Sequence, residues 1–355
     1  MQFGWPSEEF RTAWAAASGT RLREPQATPK RTLRLHESST RLYSRIMRLG
    51  SHNARIFCGV LLVCIVTRSV FAQVGDSLRA QLAERIAATP GAVVGVYYKS
   101  LASGELVTID PDSSFHAAST MKVPVMIEFF RQVERGGLAA TQPVLLVNQF
   151  ASIVDGSPFS VAPIDDSDST MYLRIGDRVS ARELVERMIV RSSNLATNAV
   201  IALIGASHAD STAHALGARN IRVLRGVEDG KAFQKGMNNT TTPRDLGVLL
   251  EAIERRTAAS KIACDTMLAI LSRQEFNDEI PAGLPPGTRV AHKTGSITAV
   301  LHDAAIVYPQ GRTPYVLVVL TRNIPDERAA RVLIADLSRL VYQHVGQPAS
   351  QAPSN

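Results

Sequence analysis

Strand-forming patterns in this 355-residue chain are confined to two places, and that distribution limits the fold more than any other feature. Near the front, the β-rich run Ala92–Lys99 is followed by the turn Leu101–Gly104 and by Glu105–Asp110, which predicts a hairpin. Near the end, runs over about Arg289–Ser296, Asp303–Tyr308 and Pro314–Arg322 predict three more strands. Between these two groups the pattern is helical. Ser180-Ala181-Arg182-Glu183 is a capping box ahead of Leu184, Val185, Met188 and Ile189, which share one helix face. Thr242-Pro243-Arg244-Asp245 opens another helix, with proline at the first position, where its missing N–H is harmless. A helix over about Asp76–Ala88 precedes the first strand, and one from Pro325 to about His344 closes the chain. Two strands first, three last and helices between predict an α/β chain of the α+β type. Its five-stranded antiparallel sheet is built from both chain ends and flanked by helices, with an all-α subdomain inserted in the middle. A cleft between the two lobes is the natural place for a site.

The formal charge of +7 belongs to the front of the chain: up to Ala72 there are eleven Lys/Arg against four Asp/Glu, and beyond it the charges balance. A nucleic-acid partner is therefore not expected. Residues 1–46 are Arg-rich, irregular and hold both tryptophans, so they read as a non-native or disordered upstream extension, with Met47 as the true start. After it come Arg48 and Arg55, the apolar run Ile56–Val66, and Val70-Phe71-Ala72 before Gln73, the pattern of a secretory signal peptide spanning residues 47–72. The alternative is a cytoplasmic extension with an anchor helix, for which the apolar run is short. The expected mature product is periplasmic or secreted, with no stable membrane anchor. It comprises a domain over 73–345 (an α/β lobe of 73–118 and 256–345, a helical lobe of 119–255) and a disordered tail over 346–355. Cleavage would remove Cys58 and Cys64, leaving Cys264 as a buried small hydrophobe and no internal disulfide.

Three short motifs fall where the cleft is expected. Ser119-Thr120-Met121-Lys122 opens a helix running to Glu134, and a serine and a lysine three apart share one face, so the amine reaches the hydroxyl. Pro124 removes an early ladder bond there and predicts an irregular first turn. Ser192-Ser193-Asn194 lies on the turn between two helices, where it either faces a substrate or simply caps a helix. Lys293-Thr294-Gly295-Ser296 ends a strand: the lysine and hydroxyls suit a substrate carboxylate, and Gly295 lets a ligand approach the backbone. Each motif alone is weak.

Together and in this order, the motifs resemble those of the class A β-lactamase family, over about residues 76–345. Phe115-His116-Ala117-Ala118-Ser119-Thr120-Met121-Lys122 looks like the family's nucleophile segment, Met188–Val200 its second-motif helices, and Thr240-Thr241-Thr242-Pro243 the segment after its Ω-loop. The resemblance implies a sheet flanked by helices plus an all-α lobe, with Ser119 between them as the nucleophile. Lys122 is the nearest base for its proton, with its pKa lowered by the like charge of Lys293. Ser192 relays a proton to the leaving nitrogen. The Ser119 and Ser296 backbone N–H groups form the oxyanion hole, and Asn194, Thr294 and Ser296 orient the substrate.

The departures from the family are specific. Ser193 stands where the family usually has aspartate. The Ω-loop signature is replaced by Arg225-Gly226-Val227-Glu228-Asp229-Gly230-Lys231 in a shorter loop ending at Asn239. Glu228 is the expected base for deacylating water, with Asp229 next; the alternative is a solvated loop carboxylate. Arg225 with Asn239 takes the place of the ion pair that closes the family's loop. Extra length falls in Ala151–Thr170, whose Asp155, Asp165, Asp166 and Asp168 lack an EF-hand pattern and read as a surface loop near the cleft that restricts substrate entry. His116, His292 and His302 are expected in packing or hydrogen-bonding roles, since lysine supplies the base. No metal and no cofactor is expected.

Three activities fit these residues. The first is a monomeric serine β-lactamase acting on a small-molecule β-lactam. The second is a DD-peptidase-like or other amide or ester hydrolase acting on a peptidoglycan-like substrate, with slow release of β-lactams. The third is a non-catalytic cell-wall binder, against which two converging lysines argue.

Overall fold

A computed structural model describes residues 76–346; the expectations for the leader and for the tail beyond 346 lie outside them. The five sheet strands are β1 (Val93–Ser100), β2 (Leu106–Ile109), β3 (Arg289–Ile297), β4 (Val300–Tyr308) and β5 (Tyr315–Arg322). They pair antiparallel in the order β2-β1-β5-β4-β3, so the two chain ends join in one sheet, at the β1–β5 pair, as the strand pattern predicts.

β5 explains why the sheet needs cover on both faces. Its Val316, Val318 and Leu320 point into one core, and Leu317 and Val319 into another, because side chains alternate along a strand. The first core is closed by helices from the middle of the chain: α2 (Lys122–Glu134), α3 (Ala181–Val190), α4 (Asn194–Ile204), α5 (Ala206–Ala215), α7 (Pro243–Glu254) and α8 (Lys261–Leu271); the single-turn α6 (Gly230–Gln234) lies outside it. The second is closed by the first helix, α1 (residues 76–87), through Leu78 and Leu82, and by α9 (Glu327–Gly346), through Leu333 and Leu337. Each such buried aliphatic contributes roughly 2 kcal/mol relative to exposure.

The expected caps are present. Ser180 Oγ accepts the Glu183 N–H at 3.2 Å, and Thr242 Oγ1 accepts that of Asp245 at 3.1 Å, with Pro243 at the first helical position. Cys264 is buried in α8.

Two local features differ from the sequence reading. β4 begins at Val300 rather than Asp303, because residues 298–299 form a two-residue turn in which Ala299 takes φ 59°. Such turns are usually marked by glycine or asparagine, and Thr298-Ala299 carries no such mark. The inserted segment also holds short strands: Pro143–Leu145 pairs with Arg178–Ser180, Phe150–Ala151 with Pro158–Phe159, and Thr240–Thr241 with Phe115–His116. Among the described residues, no helix is long and apolar enough to cross a membrane.

Candidate active site

Ser119 lies on a 3₁₀ turn, Ala118–Met121, that runs directly into α2 at Lys122. The irregular first turn expected from Pro124 is thus this tighter turn. Ala118 enters it with φ 45°, and its N–H is accepted by His116 Nδ1 at 3.1 Å. Ser119 is half-buried, whereas Lys122, one turn on, is fully buried.

Lys122 directs its ammonium donors at the Ser192 carbonyl (2.7 Å), the Ser192 hydroxyl (3.2 Å) and Asn194 Oδ1 (3.0 Å). Lys293, equally buried on β3, donates to the same Ser192 hydroxyl at 3.0 Å and to the Thr294 carbonyl at 2.9 Å. Two buried amines sharing one hydroxyl resist being charged together. Burial first, and Lys293 second, hold Lys122 well below the usual lysine range, while Asp166 and Glu228 pull the other way. Burial pushes Lys293 down to about 7 against the pull of Asp303 and Glu279. A neutral Lys122 is the form that can take a proton from Ser119.

β3 passes close against the nucleophile. A Cβ on Gly295 would lie 2.9 Å from the Ser119 nitrogen and 3.0 Å from that of Thr120, so only glycine lets the strand sit there. Gly295→Ala is therefore expected to displace Ser119 and slow acylation on the order of a hundred-fold. Stopped-flow acylation by a chromogenic cephalosporin reads this, and an unchanged rate would refute the close approach.

Glu228 faces Ser119 across the cleft, and its Oε1 accepts from Asn194 Nδ2 at 3.2 Å. Although much of its surface is open, its carboxyl sits in a concave wall. Lost solvation, then the neighbouring Asp165, raises its pKa against the pull of Lys122 and Arg225. Ala118 (φ 45°), Ser192 (φ 55°) and Glu228 (φ 61°) all hold left-handed backbone, a conformation that persists only where surroundings over-determine it and that clusters at functional sites.

Of the residues singled out from the sequence, Ser119, Ser192, Asn194, Glu228, Thr294, Gly295 and Ser296 line adjoining parts of this cleft, with Lys122 and Lys293 beneath it. Asp229, next after Glu228 in the sequence expectation, makes different contacts. It is buried, caps α6 through the Ala232 N–H (3.1 Å) and accepts from Ser152 Oγ and the Ile153 N–H, both at 3.0 Å. The expected Arg225–Asn239 side-chain pair is also corrected. Asn239 Oδ1 accepts the backbone N–H groups of Leu224 and Arg225, and its Nδ2 donates to the Arg225 carbonyl, while the guanidinium turns to Met237 O, Gly226 O and Asn238 Oδ1. A neutral amide bridges backbone in two directions; a carboxylate could only accept.

The 151–170 stretch borders the cleft but is no freely solvated loop: Asp166 and Asp168 are buried, and Asp168 pairs with Arg187 at 3.1 Å and Arg191 at 3.4 Å. The histidines have the expected roles. His302 Nε2 donates to the His116 carbonyl at 2.9 Å and burial pushes its pKa down to about 4, while His292 meets Asp303 at 2.9 Å. Sequence reasoning missed Asn198, whose amide accepts from the Val227 N–H at 2.7 Å and donates to the Val227 carbonyl at 3.0 Å, fixing the residue before Glu228. Its place four residues after Asn194 on one helix face was a usable signal.

Solved structures share this fold, and the sequence has relatives. The model of the β-lactamase enzyme family matches residues 77–345. Among curated proteins, the β-lactamase AST-1 of Nocardia asteroides is 27% identical over 263 residues, covering 73% of this chain and 81% of that one. Among solved structures, a β-lactamase from Sphaerobacter thermophilus superposes with a TM-score of 0.65 at 29% identity, covering 75% of this chain and 97% of the other. A mutant of PBP-A captured as an acyl-enzyme complex with penicillin-G gives the same TM-score and identity, covering 76% and 96%.

Proposed function

Because the chain belongs to the β-lactamase enzyme family, we propose that it is a serine β-lactamase that opens the β-lactam amide through an acyl-enzyme on Ser119. The observation that carries this reading is the convergence of the buried Lys122 and Lys293 amines on the Ser192 hydroxyl, in the cleft that Ser119 also lines.

In acylation, Lys122 in its neutral form takes the Ser119 proton as Oγ bonds to the β-lactam carbonyl carbon. The charge that develops on the carbonyl oxygen faces the backbone N–H groups of Ser119 and Ser296, where one donor is typically worth about 3 kcal/mol. The ring C–N bond then breaks, and the leaving nitrogen receives a proton through the Ser192 hydroxyl, replenished from Lys122. In deacylation, Glu228 takes a proton from water as the water oxygen adds to the acyl carbon; the acyl C–O bond to Ser119 then breaks, and Oγ recovers a proton that Glu228 gives up, which restores the carboxylate. Asn194, Thr294 and Ser296 hydrogen-bond the substrate, and Lys293, buried beneath them, attracts its carboxylate through charge. Glu228 favours turnover over the slow release of a DD-peptidase-like enzyme, because a carboxylate beside Ser119 gives water a base.

The reading includes export after cleavage near Ala72 and a monomeric product, which N-terminal sequencing and light scattering of the secreted protein test. Incubation with a penicillin, following intact mass and drug absorbance together, tests the activity. Rapid drug loss without a lasting adduct supports it; a persistent adduct on Ser119 transfers the chain to the slow-release class; no adduct and no drug loss rejects both.

A pH dependence follows from Lys293. Its amine is protonated below its value of about 7 and neutral above it, so it pairs with a carboxylate only on the acid side. KM for a penicillin is therefore expected to rise as pH increases through about 7, whereas a penicillin ester, which lacks the carboxylate, should show no such rise. Steady-state kinetics on both substrates between about pH 6 and pH 9 decides it.

A further inference from the structure

The turn Ser192-Ser193-Asn194 carries two of the groups that Lys122 touches, yet Ser193 leaves it without the carboxylate of the class A motif. A carboxylate nonetheless lies against it. Asp166, 27 residues upstream of Ser193 and 9% exposed, directs Oδ2 at the turn and accepts from the Leu195 N–H (2.8 Å), the Tyr172 hydroxyl (3.1 Å) and Ser193 Oγ (3.3 Å). Its Oδ1 accepts the Asp168 N–H at 2.9 Å.

We propose that Asp166 is a positioning residue: from the 151–170 segment it supplies the negative charge absent at Ser193 and thereby holds the turn that presents Ser192 and Asn194 to Lys122 and Ser119. The inference rests on the serine-hydrolase reading above.

Four observations support it. The Leu195 N–H is one of the donors left open at the start of α4, where negative charge is favourable, and Ser193 Oγ is already engaged with the Ala196 N–H at 3.2 Å. Ser192 holds φ 55°, a conformation that neighbouring contacts must maintain. Asp166 is itself held: Asp168, two residues on, is clamped with its carboxylate fully buried between Arg187 and Arg191. The charge also reaches the amine, since Asp166 and Glu228 favour the charged form of Lys122 while Lys293 opposes it. A charge moved to a distant segment can replace a local one because the helix terminus selects for negative charge at a point in space, whatever its place in the chain.

The test compares the parent protein, Asp166→Asn and the double variant Asp166→Asn/Ser193→Asp by stopped-flow acylation with a chromogenic cephalosporin, pH profile and thermal melting. Asp166→Asn should acylate roughly ten- to a hundred-fold more slowly, the scale of a lost hydrogen bond to a charged group. The change should fall on kcat more than on KM. The acid limb of acylation should shift to lower pH, because Lys122 loses a charge that favours its protonated form. Ser193→Asp in the Asp166→Asn background should restore acylation to within a few-fold of the parent and recover the lost melting temperature. Unchanged acylation and pH profile in Asp166→Asn overturns the proposal, and so does a double variant no better than the single one, including when the single variant fails to fold. A parent that is never acylated overturns the serine-hydrolase reading instead, and the three melting curves then decide whether the charge holds the turn.

Discussion

Replacing Ser119 by alanine is expected to lower kcat for a penicillin by about a million-fold, the scale of removing a catalytic nucleophile from a group of residues that act as a unit. The reason is local. Lys122 and Lys293 share the Ser192 hydroxyl, and in the proposed mechanism the neutral Lys122 takes its proton from Ser119, so with no oxygen at 119 it has nothing to deprotonate. The substitution is mild for the fold, because alanine suits the 3₁₀ turn and Ser119 is only half-buried. Stability should stay within about 0.5 kcal/mol of the parent. Steady-state hydrolysis, intact mass after exposure to penicillin and a thermal melt form the test. A variant that still gains the mass of the drug, or hydrolyses it at more than a thousandth of the parent rate, would place the nucleophile elsewhere.

Glu228→Gln is expected to separate the two halves of the reaction. Glutamine keeps the hydrogen-bonding reach and tolerates the same backbone, but it cannot accept a proton from water. Acylation should remain near the parent rate while deacylation falls roughly a hundred- to ten-thousand-fold, the usual worth of a general base. Mass spectrometry should then show an adduct on Ser119 that outlasts the free drug. Asp229→Asn supplies the contrast. Asp229 caps α6 and holds the Ser152–Ile153 backbone, so its loss should lower the melting temperature without trapping the adduct. If Asp229→Asn traps the acyl-enzyme and Glu228→Gln does not, the assignment of the base is reversed.

The sheet was legible because its strands are long apolar or alternating runs, and burial on one or both faces leaves a mark in composition wherever a strand lies. The helix starts at Ser180 and Thr242 were legible for the same kind of reason, since a cap and its partner lie three residues apart. Ser119 and Lys122 share a helical face, and Lys293 and Gly295 share a strand end, so each motif encodes a piece of geometry within a single element. The different contacts of Glu228 and Asp229 were not encoded this way. Adjacent carboxylates look alike in a loop, and only the packed chain turns Glu228, with its left-handed backbone, to Asn194 while Asp229 caps α6.

What the sequence by itself determined is therefore most of the elements and the candidate reacting groups, because periodicity, capping and short motifs act over a few residues. Tertiary structure decided how those groups meet. It brought Lys122 and Lys293 to one hydroxyl 70 and 101 residues away in sequence, and it set Asp166 against a turn that had lost its own carboxylate. It also replaced an expected Arg225–Asn239 side-chain pair with an amide bridging backbone. The physical reason is common to all three. Electrostatics and hydrogen bonding act over a few ångströms of space, and only the packed fold determines which distant residues share that space.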